Sequence, residues 1–280
     1  MPRSPHRTGS EGGQTAVLEA ARRWGESEPR VRAVLVKGSL GRGVADALSD
    51  VDLVIVSQLG QREVLWQDRQ ALAEALGQPL ALFKEAPWHR LYLAIAVYEG
   101  PLKVDLFFED GEVPPDEWLR EGYLVLLDRG GVESRLRELL AAFQPPSFRA
   151  EDLAELDGHA WDWAWWLWVK LARGERWLVY VELAKFFETI VVPAYNALAG
   201  EPRAGYYALD RRLSPSLIDE LEAALPRRVT PRALHRSLLA LVGLYARARA
   251  RLRRRLRANL SGRLMRQVRR RLRTFPPSGR

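Results

Sequence analysis

The chain has 280 residues, enough to bury a sizeable core and to split into two domains. It is 47% hydrophobic, has no apolar run near the ~20 residues of a membrane span, and contains no cysteine, which excludes disulfides and thiolate metal sites and fits a soluble, cytoplasmic protein. The net charge of +8 hides an asymmetry: from Arg211 onward 20 Arg and Lys face 3 Asp and Glu, whereas residues 1–210 carry 23 against 32.

Residues 1–13 are polar and glycine-rich, without an apolar signal segment, and are expected as a disordered lead-in. The spacing of Val17, Leu18, Ala21 and Trp24 predicts a helix over 14–25, and β-branched runs predict buried strands over 31–36 and 51–57. Between the strands lie Lys37-Gly38-Ser39-Leu40-Gly41-Arg42-Gly43 and then Asp50-Val51-Asp52. Gly38, Gly41 and Gly43 remove side chains where backbone N–H groups can close on a phosphate, and the Ser39 hydroxyl adds a donor. Asp50 and Asp52, two apart on a strand, point to one face and can grip one hard cation, or two cations about 4 Å apart. The spacing fits neither a GxGxxG dinucleotide fingerprint nor a Walker A loop.

Further along, an amphipathic helix is predicted over 61–76 and a short strand over 80–84. Apolar runs at 91–98 and 102–109 flank a turn at Glu99-Gly100-Pro101. The second run contains Asp105, an acid among residues that otherwise read as core, so it needs a cation or donors. A strand over 123–127 and a helix over 132–143 follow, and Gln144-Pro145-Pro146-Ser147 breaks the helix. A mixed strand-and-helix domain over 14–146, carrying the glycine turn and the acids, and a helical domain over 147–280 are therefore expected.

The second half reads as helices over 153–173, 175–198, 215–225 and from Pro231 onward, with a loop over 205–213. Trp161, Trp165 and Trp168 fall on one stripe of the first helix, and Trp163, Trp166 and Lys170 on another. One stripe is expected in the helical core and the other against the first domain. The alternative is that one or two of these rings line the acceptor pocket, stacking on a base or sugar or facing a ligand cation. Leu252, Leu256, Leu260, Leu264, Val268 and Leu272 recur every four residues amid arginines, so their row winds round the helix, with Ser261-Gly262 as a candidate break. Such an arginine density binds nucleic acid or an anionic surface electrostatically. The weightier reading is a helix clasping the acidic half or a solvated tail.

Gly38-Ser39, ten residues, then Asp50-Val51-Asp52 resembles the nucleotidyltransferase superfamily that includes DNA polymerase β. The fuller string GSxGRGxxDxxSDxDL is similar to bacterial antibiotic nucleotidyltransferases, among them the streptomycin and lincosamide adenylyltransferases. The resemblance implies an α+β fold, with a mixed β-sheet flanked by helices and then an all-helical bundle. It implies two Mg²⁺ held by Asp50, Asp52 and Asp105, and ATP or another nucleoside triphosphate as substrate. The acceptor it implies is a hydroxyl of a small aminoglycoside-like or lincosamide-like molecule, which the acidic half suits. Gly38, Ser39 and Arg42 are its nucleotide-binding residues, Lys37 adds charge, and Lys170 reaches a phosphate across an interdomain cleft. Glu182 or Glu188 supplies a general base, and the spacing favours neither. Relatives of this kind are often homodimers, although no stretch here marks an interface. Two other readings stand beside transfer to a small molecule: transfer to a protein or RNA, motivated by the basic C-terminal stretch, and a nucleotide-binding module without turnover.

Overall fold

The structure, a computed structural model, describes residues 10–84, 92–100, 102–144, 147–201, 205–206 and 209–275. Residues 1–9 of the expected lead-in, Leu91 of an expected strand, Pro101 of the expected turn and Pro145 and Pro146 of the expected breaker lie outside them. The chain divides into two compact units, Met1–Pro145 and Pro146–Arg280.

In chain order the first unit contains α1 (Ser10–Ser27), β1 (Val31–Lys37), α2 (Gly38–Gly41), β2 (Val51–Ser57), α3 (Arg62–Gln67), α4 (Arg69–Leu76), β3 (Ala81–Lys84) and β4 (Leu93–Val97). It continues through β5 (Lys103–Asp110), α5 (Glu117–Glu121), β6 (Leu124–Asp128) and α6 (Val132–Ala142). The six strands form one mixed sheet in the order β3-β4-β5-β2-β1-β6. Only β2 and β5 run parallel; every other neighbouring pair is antiparallel.

The apolar runs of β1 and β2 have no polar alternation because both faces of the sheet are covered. One face, with Val34, Val36, Leu53, Ile55 and Leu106, clusters with Val17 of α1, Leu65 of α3 and Leu72 of α4. The opposite face, with Leu35, Val54, Val56 and Phe107, clusters with Leu119 of α5 and Leu136 of α6. This is the α+β sheet-and-helix architecture expected from the sequence.

Two expected helices of the first unit differ by more than a residue or two, and α2 and α5 have no counterpart in the expectation. Helix α1 starts at Ser10, so residues 10–13 are helical, not part of a disordered lead-in. Gly12 and Gly13 are weak helix formers and hide the signal; one residue on, the Gln14 amide donates to the carbonyls of Asp46 and Ser49 and anchors the helix. The helix expected over 61–76 is two, parted at Asp68, whose carboxylate accepts from Arg30 Nη1 at 2.7 Å.

The second unit holds α7 (Ala150–Ala172), α8 (Arg176–Phe186), a π-helical turn (Phe187–Val191), α9 (Val192–Ala199), α10 (Leu209–Arg212), α11 (Pro215–Ala224), α12 (Pro231–Arg255) and α13 (Arg263–Leu272). The helix expected over 175–198 is interrupted by the π turn. Pro193 has no N–H for the Thr189 carbonyl, and a wider turn absorbs the loss. The core gathers Leu153, Trp161, Leu167, Phe186, Leu238 and Tyr245. Among the described residues, no helix is long and apolar enough to cross a membrane.

Candidate active site

Backbone geometry ties the glycine turn to the acid pair. Gly38 adopts φ +69°, and a Cβ there would stand 2.1 Å from Asp52 Oδ2, so the turn admits the carboxylate only because residue 38 has no side chain. The alternation that buries Val54 and Phe107 sets Asp52 and Asp105 on the same face, and the two acids are register partners across the parallel strands β2 and β5. On the other side of β2, Lys37 is the register partner of Asp52. Its ammonium lies 3.6 Å from the Phe107 ring centroid and 4.0 Å from Asp116 Oδ2.

Asp50 stands one residue before β2. Its Oδ2 accepts a hydrogen bond from Lys103 Nζ at 3.1 Å, and Asp105 Oδ2 accepts from the same ammonium at 2.7 Å. Lys103 therefore links Asp50 to Asp105, and Asp105 lies in register beside Asp52, the acid next to Gly38. Burial, then the charges of Asp50 and Asp105, push the Asp52 carboxyl up to about 6, against the pull of Lys37 and Lys103. Burial works against the Lys103 charge, but its hydrogen bonds to Asp105 and Asp50 outweigh it and hold the ammonium above the ordinary lysine range.

The expected metal trio is not preassembled. Among the described residues, no three Asp, Glu or His side chains converge closely enough to hold a metal ion. The physical reason is Lys103, whose ammonium stands between Asp50 and Asp105 and supplies the positive charge itself. The donor chemistry, three carboxylates with one of them proton-loving, nevertheless suits a hard divalent cation. Sequence reasoning missed Lys103, although its signal was present: it lies two residues before Asp105 on one strand, hence on the same face.

The loop joining the glycine turn to Asp50 is braced from within. Asp46 Oδ1 accepts from the Leu48 N–H and the Ser49 hydroxyl, at 2.9 and 3.1 Å, and these bonds hold its carboxyl below the usual range, that from Leu48 most. Gln14 grips the same loop from α1, at 3.0 Å to Asp46 O and 2.6 Å to Ser49 O. Ser39 sits half-buried in α2. Arg42 pairs with Glu121 of α5 and lies 5.5 Å from the Trp118 ring. Its Nε is buried and has no hydrogen-bond partner among the described residues.

Lys170, Glu182 and Glu188 belong to the second unit. Lys170 Nζ donates to both oxygens of Glu175, at 3.0 and 3.1 Å, across the turn between α7 and α8. Glu182 accepts from Lys185 at 2.6 Å, and Glu188 is exposed on the π turn.

No protein-family model matches the sequence, and no curated protein matches it. Among solved structures, the chain is similar to an aminoglycoside 6-adenyltransferase from Bacillus subtilis, with a TM-score of 0.46 and 12% identity over 93% of this chain and 96% of that one.

Proposed function

We propose that the first unit is a nucleotidyltransferase site that moves a nucleoside monophosphate, AMP from ATP in the simplest case, onto a hydroxyl of a small acceptor and releases pyrophosphate. The observation that carries this reading is the direct apposition of the glycine turn and the acids: Asp52 lies where a Gly38 side chain would be, with Asp105 in register beside it. A triphosphate bound at the turn would meet the carboxylates at once.

In this reading Gly38 and Ser39 take the β- and γ-phosphates, and Lys37 and Arg42 add positive charge. The buried Arg42 Nε–H costs about 1–3 kcal/mol while unsatisfied, and an anionic oxygen would relieve it. Asp50, Asp52 and Asp105 would hold Mg²⁺, two ions in the full set, after Lys103 swings away. Bound there, magnesium would neutralise the leaving pyrophosphate and lower the acceptor hydroxyl's pKa. The hydroxyl proton passes to a general base, Asp105 or one of Glu182 and Glu188, the acceptor oxygen bonds the α-phosphorus, and the bond from that phosphorus to the bridging oxygen breaks. The surplus of acid in residues 1–210 suits a cationic acceptor of the aminoglycoside or lincosamide kind. Lys170, and Glu182 or Glu188 as general base, are proposed auxiliaries on the strength of the motif resemblance alone.

One observation favours a second reading, a nucleotide-binding module without turnover: Lys103 already forms ion pairs with both Asp50 and Asp105 and occupies the space between them. Pyrophosphate release with each of four nucleoside triphosphates and Mg²⁺, over a panel of aminoglycosides, lincosamides, tRNA and proteins, separates the two. Transfer requires release that Asp52→Asn and Asp50→Asn abolish while the fold persists; Mg-ATP binding without release over the whole panel leaves the binding module. Lys103→Met adds a second readout: its Tm should rise more with Mg²⁺ than that of the parent, because the competing ammonium is gone.

A further inference from the structure

The second unit contains a cleft of about 670 Å³ lined by Trp165 of α7 and by Leu264, Gln267, Arg270, Arg271 and Thr274 on or just after α13. That volume lies within the roughly 300–1,000 Å³ of ligand pockets. The aromatic wall is rigid. Trp168 is only 4% exposed, and its indole N–H donates to the Thr274 carbonyl at 3.0 Å. Trp165 stacks on it with 5.9 Å between centroids and 14° between planes, and the Arg271 guanidinium lies over the Trp168 ring at 4.4 Å. Trp165 itself stays 40% exposed.

Charge surrounds this wall. Val268 and Leu272 take the buried side of α13, which leaves Arg263, Arg266, Arg269 and Arg270 exposed. No acidic residue follows Glu222 in the sequence, so nothing within this stretch offsets them. Exposed arginine on a helix is ordinary; a half-exposed indole held flat beside it is not.

We propose that this cleft and the arginine surface of α13 bind single-stranded nucleic acid, with a base stacked on Trp165 and the phosphates on Arg270 and its neighbours. The ring decides the ligand class. A duplex keeps its bases stacked on one another and offers none to an indole, and an anionic bilayer would use the charge but not a flat ring fixed beside a guanidinium. A free nucleotide would engage one or two of the arginines, whereas a strand uses the whole row.

The test is fluorescence anisotropy of the full chain with a labelled single-stranded RNA of about ten nucleotides. Separate arms use a duplex of the same length and vesicles containing phosphatidylserine. Single strands should bind more tightly than the duplex, with affinity falling as salt rises. Trp165→Ala should weaken single-strand binding roughly tenfold while Trp165→Phe retains most of it. Arg270→Ala, an exposed change that spares the aromatic wall, should reduce the logarithmic salt slope by about 0.7. Equal affinity for duplex and single strand, with Trp165→Ala unchanged, would overturn the proposal in favour of charge alone. Vesicle binding without RNA binding would overturn it in favour of a membrane surface.

Discussion

At neutral pH the Asp52 carboxylate is ionised against burial and against the charges of Asp50 and Asp105, with Lys37 and Lys103 as partial compensation. Its pKa of about 6 stands above the ordinary 3.8. Between those values the folded protein keeps a proton that the unfolded chain has lost. The contribution to stability is therefore full below about pH 4, falls as pH rises through 6, and stays lost above it. At most it amounts to about 3 kcal/mol, the free-energy equivalent of that shift. Asp52→Asn removes the group, so the variant should gain on the parent as pH rises from about 4 to 7 in urea denaturation. A constant difference across that range would show that Asp52 titrates as an ordinary exposed acid. Lys103 belongs to the same balance, and its position two residues before Asp105 made it readable in principle. What sequence could not show is that one ammonium reaches Asp50 as well, because that contact depends on β2 and β5 lying side by side in parallel.

Elements were legible where local signals sufficed. The strands at 31–37 and 51–57 announced themselves by β-branched runs, and β4 and β5 by the turn between them. Their order in the sheet was not, since the parallel β2–β5 pairing joins segments some fifty residues apart through α3, α4, β3 and β4. Helix breaks split the same way. Pro193 signals the π turn in its own letter, but the gap at Asp68 coincides with an ion pair to Arg30 that no local pattern encodes. Gln14 likewise looks like any polar helix residue until the loop 32 positions away arrives under it. The end of α12 combines both cases. Ala258 N–H bonds the Arg253 carbonyl and Arg257 N–H the Arg254 carbonyl, closing a Schellman motif in which Arg257 takes φ +52°. An L-residue with a side chain pays roughly 1 kcal/mol there, and glycine does not. Arg257→Gly should therefore raise stability by about 1 kcal/mol, read as a higher denaturation midpoint. A lower midpoint would mean that the arginine side chain contributes more than the backbone strain takes away.

For the molecule as a whole, the charge asymmetry in the sequence places an excess of arginine in the helical unit, and most of it lies at the surface. Among the described residues, one arginine is buried. Arg249 of α12 is 5% exposed and forks onto Asp157 of α7, itself 6% exposed, with Nη2 donating at 2.9 Å. The Trp161 indole N–H at 2.6 Å and the Tyr245 hydroxyl at 3.0 Å complete the shell round the carboxylate. Burial first, then the Asp157 charge, keeps the Tyr245 hydroxyl protonated far above its ordinary range. These four residues join the two longest helices through the core. Breaking a buried ion pair from one side leaves the other charge desolvated, at a cost of about 3–5 kcal/mol. The two halves are not equivalent here. Asp157→Leu strands Arg249 and leaves Trp161 and Tyr245 without their acceptor, so it should show the full loss. Arg249→Met leaves Asp157 with two donors and should lose less. The double variant replaces the pair with apolar side chains and should recover much of the stability, since such replacements are often near neutral. Tryptophan fluorescence during denaturation reads this cycle directly, because Trp161 sits within it. A double variant no more stable than Asp157→Leu alone would show that the carboxylate serves Trp161 and Tyr245 more than it serves Arg249.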